Sequence, residues 1–484
     1  LRVGTPDPLG GFLVGATQGT NEPGKHLVYD SLFMMNYATG EMVPWLIKDD
    51  YEFVDDTTFV MHVKEGVTFS DGKPLTGRDI LASYKWYCTE ADIASQWTAV
   101  DIDNCYTEDN DMTVVFKLHN AYGPLINLMC NTGIFSADFA EANGYDSELW
   151  YKSPVGSGPY VVSEYVYDDH ITFTLRDDYW GDYANTNVTT IIEQYFPEIS
   201  TMYMALENGE IDLACAIDPT DYARAKAGDS PNIDTKMTYN GDITYFCMDE
   251  TGNPILGDIR VREAIAIGVD WAEVGKSAYG DLFVPANSMV ASADKLYYED
   301  FGGAYTYDPE QAKAIIAETG YSPEELTFTF ICMAQPEQKT MSESLQYYMQ
   351  QMGITVNIDY LDFAAALGAW IEGKTDFNFQ STESGSVAGE PHLYMNVIVE
   401  GACPFEVVTI NDPKITELFT AAGASYDNEV RKAAYTELAK YIHDNYYAIP
   451  MLENTGAIAW NNQLISDVLT TSDSDVNLRN VIFK

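Results

Sequence analysis

The stretch from Leu345 to Ile358 restricts the fold more than any other part of the chain. Leu345, Tyr348, Met349 and Met352 recur at helical spacing, Gly353 stops that helix, and Ile354, Val356 and Ile358 then alternate as a strand. A helix that turns at a glycine directly into a strand is an α/β unit. The rest of the chain keeps the same alternation. Asp308 is placed to cap a helix with Pro309 at its first position and Gln311 at the third; Ala312, Ile315 and Ile316 face inward, and Gly320 ends it. Val261, Ala264, Ile265, Gly268 and Val269 form another helical stripe. Thr58–Val63, Val114–Leu118 and Ile171–Leu175 read as strands, the first with Phe59, Met61 and Val63 on one face. Ser70-Asp71-Gly72 is a turn, and Thr76, three residues before Asp79, caps a helix through Ser83 and Trp86. Gly156-Ser157-Gly158-Pro159 marks a sharp loop. No repeat with a period of roughly 20–50 residues is visible, and no low-complexity linker divides the chain. The domains are therefore expected to be tightly joined, with chain crossings near Tyr245–Gly257 and Ile449–Gly456.

The 484 residues hold 74 acids against 26 lysines and arginines, a net charge of −48. Such a field repels nucleic-acid backbones and anionic bilayers, and favours solubility and neutral or cationic ligands. At 46% hydrophobic and 13% aromatic residues, this is not a disordered acidic chain. The seven cysteines form no C-x-x-C and no zinc framework, so at least one thiol stays unpaired within the chain. The longest apolar run, near Phe363–Ile371, falls well short of the ~18 residues of a membrane span. The chain opens at Leu1 without a signal-like segment, which is expected to have been removed. Asn187-Val188-Thr189 is a sequon, informative only in a eukaryotic secretory context.

Enzyme motifs fail on inspection. Gly19 to Lys25 has phosphate-loop spacing, but His26 follows where a hydroxyl is needed, and Pro23 removes an amide. Ser70–Lys73 and Ser292–Lys295 both fit S-x-x-K, the first on a turn and with no K-T-G after it. There is no G-x-S-x-G elbow, no histidine pair at metal-ligand spacing and no complete EF-hand loop. A secreted hydrolase using its many carboxylates remains the alternative of a different class. No cofactor and no metal are expected.

Thr57–Ile80, TTFVMHVKEGVTFSDGKPLTGRDI, closely resembles the signature of the family 5 extracellular solute-binding proteins, the oligopeptide-, dipeptide- and nickel-binding receptors of ABC importers. Four further segments resemble that family in its order: SPVGSGPY at Ser153–Tyr160, RDDYWG at Arg176–Gly181, ALENGEIDLA at Ala205–Ala214, and DIRVREA at Asp258–Ala264. The last is followed by Asp308–Ala317 and Gly353–Ile358. The resemblance spans roughly residues 27 to 452, and the family uses these segments as scaffold. It implies an α/β, bilobal, periplasmic-binding-protein-like fold with a hinge between lobes. Lobe one would comprise residues 1–26, an inserted subdomain at 27–154, 155–252 and 451–484; lobe two would span 253–450. The lobes would close on a small-molecule ligand without covalent chemistry, and the protein, expected as a monomer, would dock on the permease subunits of an ABC transporter. The resemblance further implies an extracellular or periplasmic protein, lipid-anchored through an N-terminal cysteine in the full-length Gram-positive form.

In many peptide receptors of this family a W-x-A-D-Y-x-D-P segment of lobe two holds the ligand's α-ammonium through its aspartate. The matching stretch, Asp376–Asn396, has no tryptophan and no A-D-Y; Glu390-Pro391 stands at the aspartate–proline, and Glu383 is the other nearby acid. No lysine or arginine occurs between Lys374 and Lys414, so the segment offers no cationic clamp, although it can hold an amine or simply be solvated. His392 and Tyr394 complete this candidate set. The glycine-rich loop from Gly10 to Thr20 supplies Phe12, for stacking or core packing, and Gln18, for hydrogen bonding. Thirty-four tyrosines and eight tryptophans also suit sugars, with Tyr394 and Trp370 as stacking candidates, so peptide and oligosaccharide ligands both stay open.

Overall fold

The computed structural model describes residues 1–7, 9–13, 22–36, 39–181, 187–301, 305–380, 390–399, 410–470 and 476–484. The chain forms two compact units, Leu1–Thr238 with Gly456–Lys484, and Tyr239–Thr455. It crosses from one to the other at 238/239 and 455/456, each time inside a long strand, Ile233–Met248 and Ala448–Asn461. The sequence reading places the first crossing later, at the turn residues 245–257. The strand runs through the crossing to Met248, so the turn at 249–257 follows the crossing instead of marking it.

In the first unit, Arg2–Thr5 pairs in parallel with both Thr190–Tyr195 and Leu213–Ala214. The strands His170–Leu175 and Tyr160–Val166 continue that sheet as antiparallel neighbours. Inside residues 27–154 lies a separate antiparallel sheet, in the order Glu52–Asp55, Thr58–His62, Thr113–Lys117, Tyr106–Glu108. Phe59, Met61 and Val63 are fully buried, as their alternation requires. The helix Gly77–Thr89 also packs into this core; Tyr84 meets Phe116 edge-on at 5.0 Å. Thr76 and Asp79 close the expected capping box at its start.

In the second unit, Thr327–Met333 and Thr355–Leu361 run in parallel, joined by the helix Pro336–Gln351. Leu345, Met349, Met352, Ile354 and Val356 are all buried, and Gly353 takes the left-handed conformation that ends the helix, φ +86°. Asp308 caps Pro309–Thr319 by accepting the Gln311 N–H at 2.9 Å.

Buried charges tie loops to these frames. The Asp30 carboxylate accepts from the Arg479 guanidinium at 2.8 Å, the indoles of Trp45 (3.0 Å) and Trp180 (3.1 Å), and the Tyr179 hydroxyl (3.3 Å). The Arg176 guanidinium donates to the carbonyls of Phe69 (3.0 Å) and Gly158 (3.1 Å) and pairs with Asp178. The loop at 156–158 needs its glycines for close approach: a Cβ at Gly156 would sit 2.0 Å from the Val28 carbonyl oxygen. Asp212 holds Arg2 through both guanidinium and backbone N–H. In the second unit, Arg262 donates to the carbonyls of Leu256, Gly257 and Asn445 and lies over the Tyr447 ring.

Two outcomes follow from these contacts. Asp30→Ala and Arg479→Met should each cost about 3–5 kcal/mol, since each leaves a buried partner charge. The double variant should cost well below their sum, and a double-mutant cycle in urea measures the difference. The second concerns Glu250, whose Oε1 accepts the Asn411 N–H at 3.0 Å and whose carboxyl burial pushes up from 4.5 to about 7. Between those values the unfolded chain has released the proton and the folded one retains it, so stability falls as pH rises through the window. Glu250→Gln keeps the acceptor and should raise the melting temperature at pH 8, with the gain shrinking toward pH 5.

Candidate functional site

The helix Pro391–Met395 begins with proline at its first position, and Glu390 caps it by accepting the His392 N–H at 3.1 Å. Glu390 is fully buried. Its Oε1 also accepts from the Arg431 guanidinium at 2.6 Å and the Tyr435 hydroxyl at 3.0 Å. Its Oε2, equally buried, meets no donor among the described residues.

Arg431 comes from the helix Asn428–Asp444, which Asp427 caps by accepting the Glu429 N–H at 2.8 Å. Its other donors reach the Ala422 carbonyl at 3.1 Å and the Tyr297 hydroxyl at 2.6 Å. The guanidinium lies over the Tyr297 and Tyr435 rings, 4.9 and 5.6 Å from their centroids. Burial works against the Arg431 charge, but Glu390 and the two tyrosines hold its pKa above the ordinary value. Glu390 is thus neither solvated nor without a cation: one of its oxygens is engaged and the other is not.

Tyr394 is buried in the second core of this unit; its hydroxyl donates to the Asp294 carboxylate and accepts the Ala291 N–H at 3.0 Å. His392 stacks on Phe419 at 4.0 Å and 9°. Burial, then the Arg431 charge, pushes its pKa down to about 3, so the ring is neutral at any physiological pH. Trp370 is core, with its indole N–H on the Ile331 carbonyl at 2.8 Å.

The fold therefore brings Glu390, His392 and Tyr394 onto one short helix. Phe12 belongs to the other unit, where it is buried edge-on against Phe173 at 5.7 Å. Gln18 and Glu383 lie outside the described residues. Sequence reasoning missed Arg431, Tyr435 and Tyr297. Arg431 and Tyr435 sit one turn apart on a well-capped helix, a visible pairing, but nothing local connects them to Glu390. No group of three or more metal-ligating side chains occurs among the described residues.

Comparison with known proteins gives a consistent answer. The family model described as bacterial extracellular solute-binding proteins, family 5 Middle, matches residues 41–402. The dipeptide-binding protein of Escherichia coli strain K12 is 23% identical over 463 residues, covering 88% of this chain and 84% of that protein. The nickel-binding periplasmic protein of the same strain is 22% identical over 450 residues, covering 88% and 83%. Among solved structures, a putative peptide-binding protein AppA from Clostridium difficile superposes with a TM-score of 0.85 at 21% identity, covering 100% of both chains. With that match extending over most of its length, the chain belongs to the family 5 bacterial extracellular solute-binding proteins.

Proposed function

We propose that this protein is the receptor of an ABC importer that captures a peptide and delivers it to membrane permease subunits. Family membership over residues 41–402 is the observation that carries this reading. The family consists of solute-binding proteins and not enzymes, which removes the hydrolase alternative. Its members are extracellular or periplasmic, and no helix among the described residues is long and apolar enough to cross a membrane. A lipid anchor on the full-length protein and a monomeric state belong to the proposal, as does the subdomain at 27–154.

Two features favour a peptide. The dipeptide-binding protein and the structural neighbour are named for peptides. The chain's charge of −48 also suits a ligand that carries an ammonium group. Glu390 Oε2 is the buried acceptor we assign to that ammonium, with Glu383 as the second carboxylate and Gln18 as a hydrogen-bonding side chain. His392 and Tyr394 then act through packing beside Glu390, and Phe12 through packing on Phe173 within its own unit. An oligosaccharide is the second reading, favoured by the many tyrosines, and a nickel chelate is disfavoured by six scattered histidines.

Titration calorimetry with a pool of synthetic tripeptides, free or N-acetylated, tests the assignment. The parent should bind free-amine peptides without turnover and lose most of its affinity when the amine is acetylated. Glu390→Gln should weaken the free-amine peptides about 30-fold or more and leave the acetylated ones nearly unchanged. Equal loss on both pools would give Glu390 a purely structural role and move the assignment to Glu383. Absence of binding to either pool, with binding to glycans, would replace the peptide reading.

A further inference from the structure

Residues 410–412 join the two helices that build the Glu390 cluster. The Ile410 N–H donates to the Ile398 carbonyl at 2.9 Å, and Ile410 bridges Val399 in parallel. Ile398 ends the short turn Asn396–Ile398 that continues the helix Pro391–Met395. Ile398, Val399 and Ile410 are buried in the core that also holds Tyr394, Met395 and Tyr435. Two residues on, the Asp412 carboxylate accepts the Tyr441 hydroxyl at 3.0 Å and the Tyr447 hydroxyl at 2.8 Å. Tyr441 lies on the helix Asn428–Asp444 that carries Arg431, and Tyr447 lies just past its end. Between these two ties stands Asn411, exposed to solvent, with its N–H held by Glu250 Oε1 at 3.0 Å.

Two of these three ties are insensitive to pH near neutrality. The one at Ile410 joins backbone groups. At Asp412, burial works against the charge, but the Lys414 N–H and the two tyrosine hydroxyls hold its pKa below the ordinary value. The tie at Glu250 differs. Its Oε2 is buried and meets no donor among the described residues, so a charge on this carboxyl is poorly solvated. The ionisable groups facing it are Cys247 on the strand before it, Asp249 beside it and Arg262 on the helix Ile259–Gly268. Cys247 stays neutral, because burial and then the Glu250 charge push its thiol up. Arg262 keeps its charge but spends its donors on the carbonyls of Leu256, Gly257 and Asn445. Asp249 accepts the Gly252 N–H at 2.6 Å and opposes a second negative charge at Glu250. Ionisation therefore favours turning the Glu250 carboxylate to water, and Asn411, already at the surface, is the group it lets go.

We infer that Glu250 is a pH-dependent latch that holds residues 410–412 against both site helices when protonated and releases them when ionised. Its effect on ligand binding rests on the assignment of Glu390 above. With the latch closed the carboxyl keeps its proton up to about pH 7, and with it open only up to the ordinary 4.5. The ratio of closed to open latch therefore falls about tenfold per pH unit between those values and levels off above them. Ligand affinity falls with it, because the helices that carry Glu390 and Arg431 lose the segment that joins them.

The experiment compares the full chain with Glu250→Gln by hydrogen exchange from pH 5 to 7.5, each rate divided by that of an unstructured peptide at the same pH. In the parent, protection of the Ile410 and Asn411 amides should fall about tenfold per pH unit up to pH 7. In Glu250→Gln, which keeps the acceptor without the titration, it should stay constant within about twofold, as should protection of the helix Pro336–Gln351 in both proteins. Calorimetry with the free-amine tripeptides should show the parent binding about ten times more weakly, or worse, at pH 7.5 than at pH 5.5, and Glu250→Gln binding equally at both. Protection that falls alike in parent and variant, or in neither, overturns the latch. Protection lost in the parent with tripeptide affinity unchanged overturns its link to the site. A parent that shows the latch in exchange but binds no tripeptide at either pH overturns the peptide reading and leaves the latch in place. Should Glu250→Gln fail to fold, the parent alone decides: loss of protection at 410–411 against a constant Pro336–Gln351 upholds the latch, and loss in step with that helix overturns it.

Discussion

The first unit depends on one buried carboxylate. Asp30 is almost wholly removed from water, a state an isolated carboxylate cannot sustain. It is sustained by four donors from distant parts of the chain: Arg479, Trp45, Tyr179 and Trp180. The contact with Arg479 spans 449 residues and ties the strand Val476–Phe483 to the chain just after the helix Glu22–Val28. Arg176 extends the same construction by collecting the carbonyls of Phe69 and Gly158. Three of the segments that resemble the family signature, containing Phe69, Gly158 and Arg176, therefore meet in one place. Each supplies a backbone carbonyl or a charge to the buried set.

The second unit repeats the logic with the sign reversed. There a buried guanidinium, Arg431, gathers Glu390, Tyr297, Tyr435 and the Ala422 carbonyl. Replacing one partner of such a set leaves the other charge stranded, so the arrangement fixes geometry more firmly than it adds stability. It also leaves one oxygen of Glu390 without a donor among the described residues. A structural ion pair and a ligand acceptor can thus share one carboxylate, with its position set by the first role.

Local features were legible in the sequence because their causes are local. The Thr76–Asp79 capping box, the Asp308 cap and the stop at Gly353 each depend on residues within a few positions of one another. The alternation of Phe59, Met61 and Val63 likewise reported the buried face directly. The cation for Glu390 was not legible. The stretch between Lys374 and Lys414 holds no basic residue, and the partner arrives from a helix 41 residues further along. The first chain crossing lies inside a continuous strand, just before Asn240-Gly241, where Gly241 has φ +75°; the sequence reading passed over that pair for the turn residues further along. Phe363–Ile371 was visible as the longest apolar run, but composition says nothing about which side a helix turns to solvent.

The ligand is the part of this account that the scaffold residues do not specify, because their charges are directed inward. Native mass spectrometry of the full chain purified from its own host measures it most directly. The account predicts a complex heavier than the chain by the mass of a short peptide, released on unfolding and sequenced by fragmentation. A released series spaced by hexose units, or a metal chelate, would contradict it.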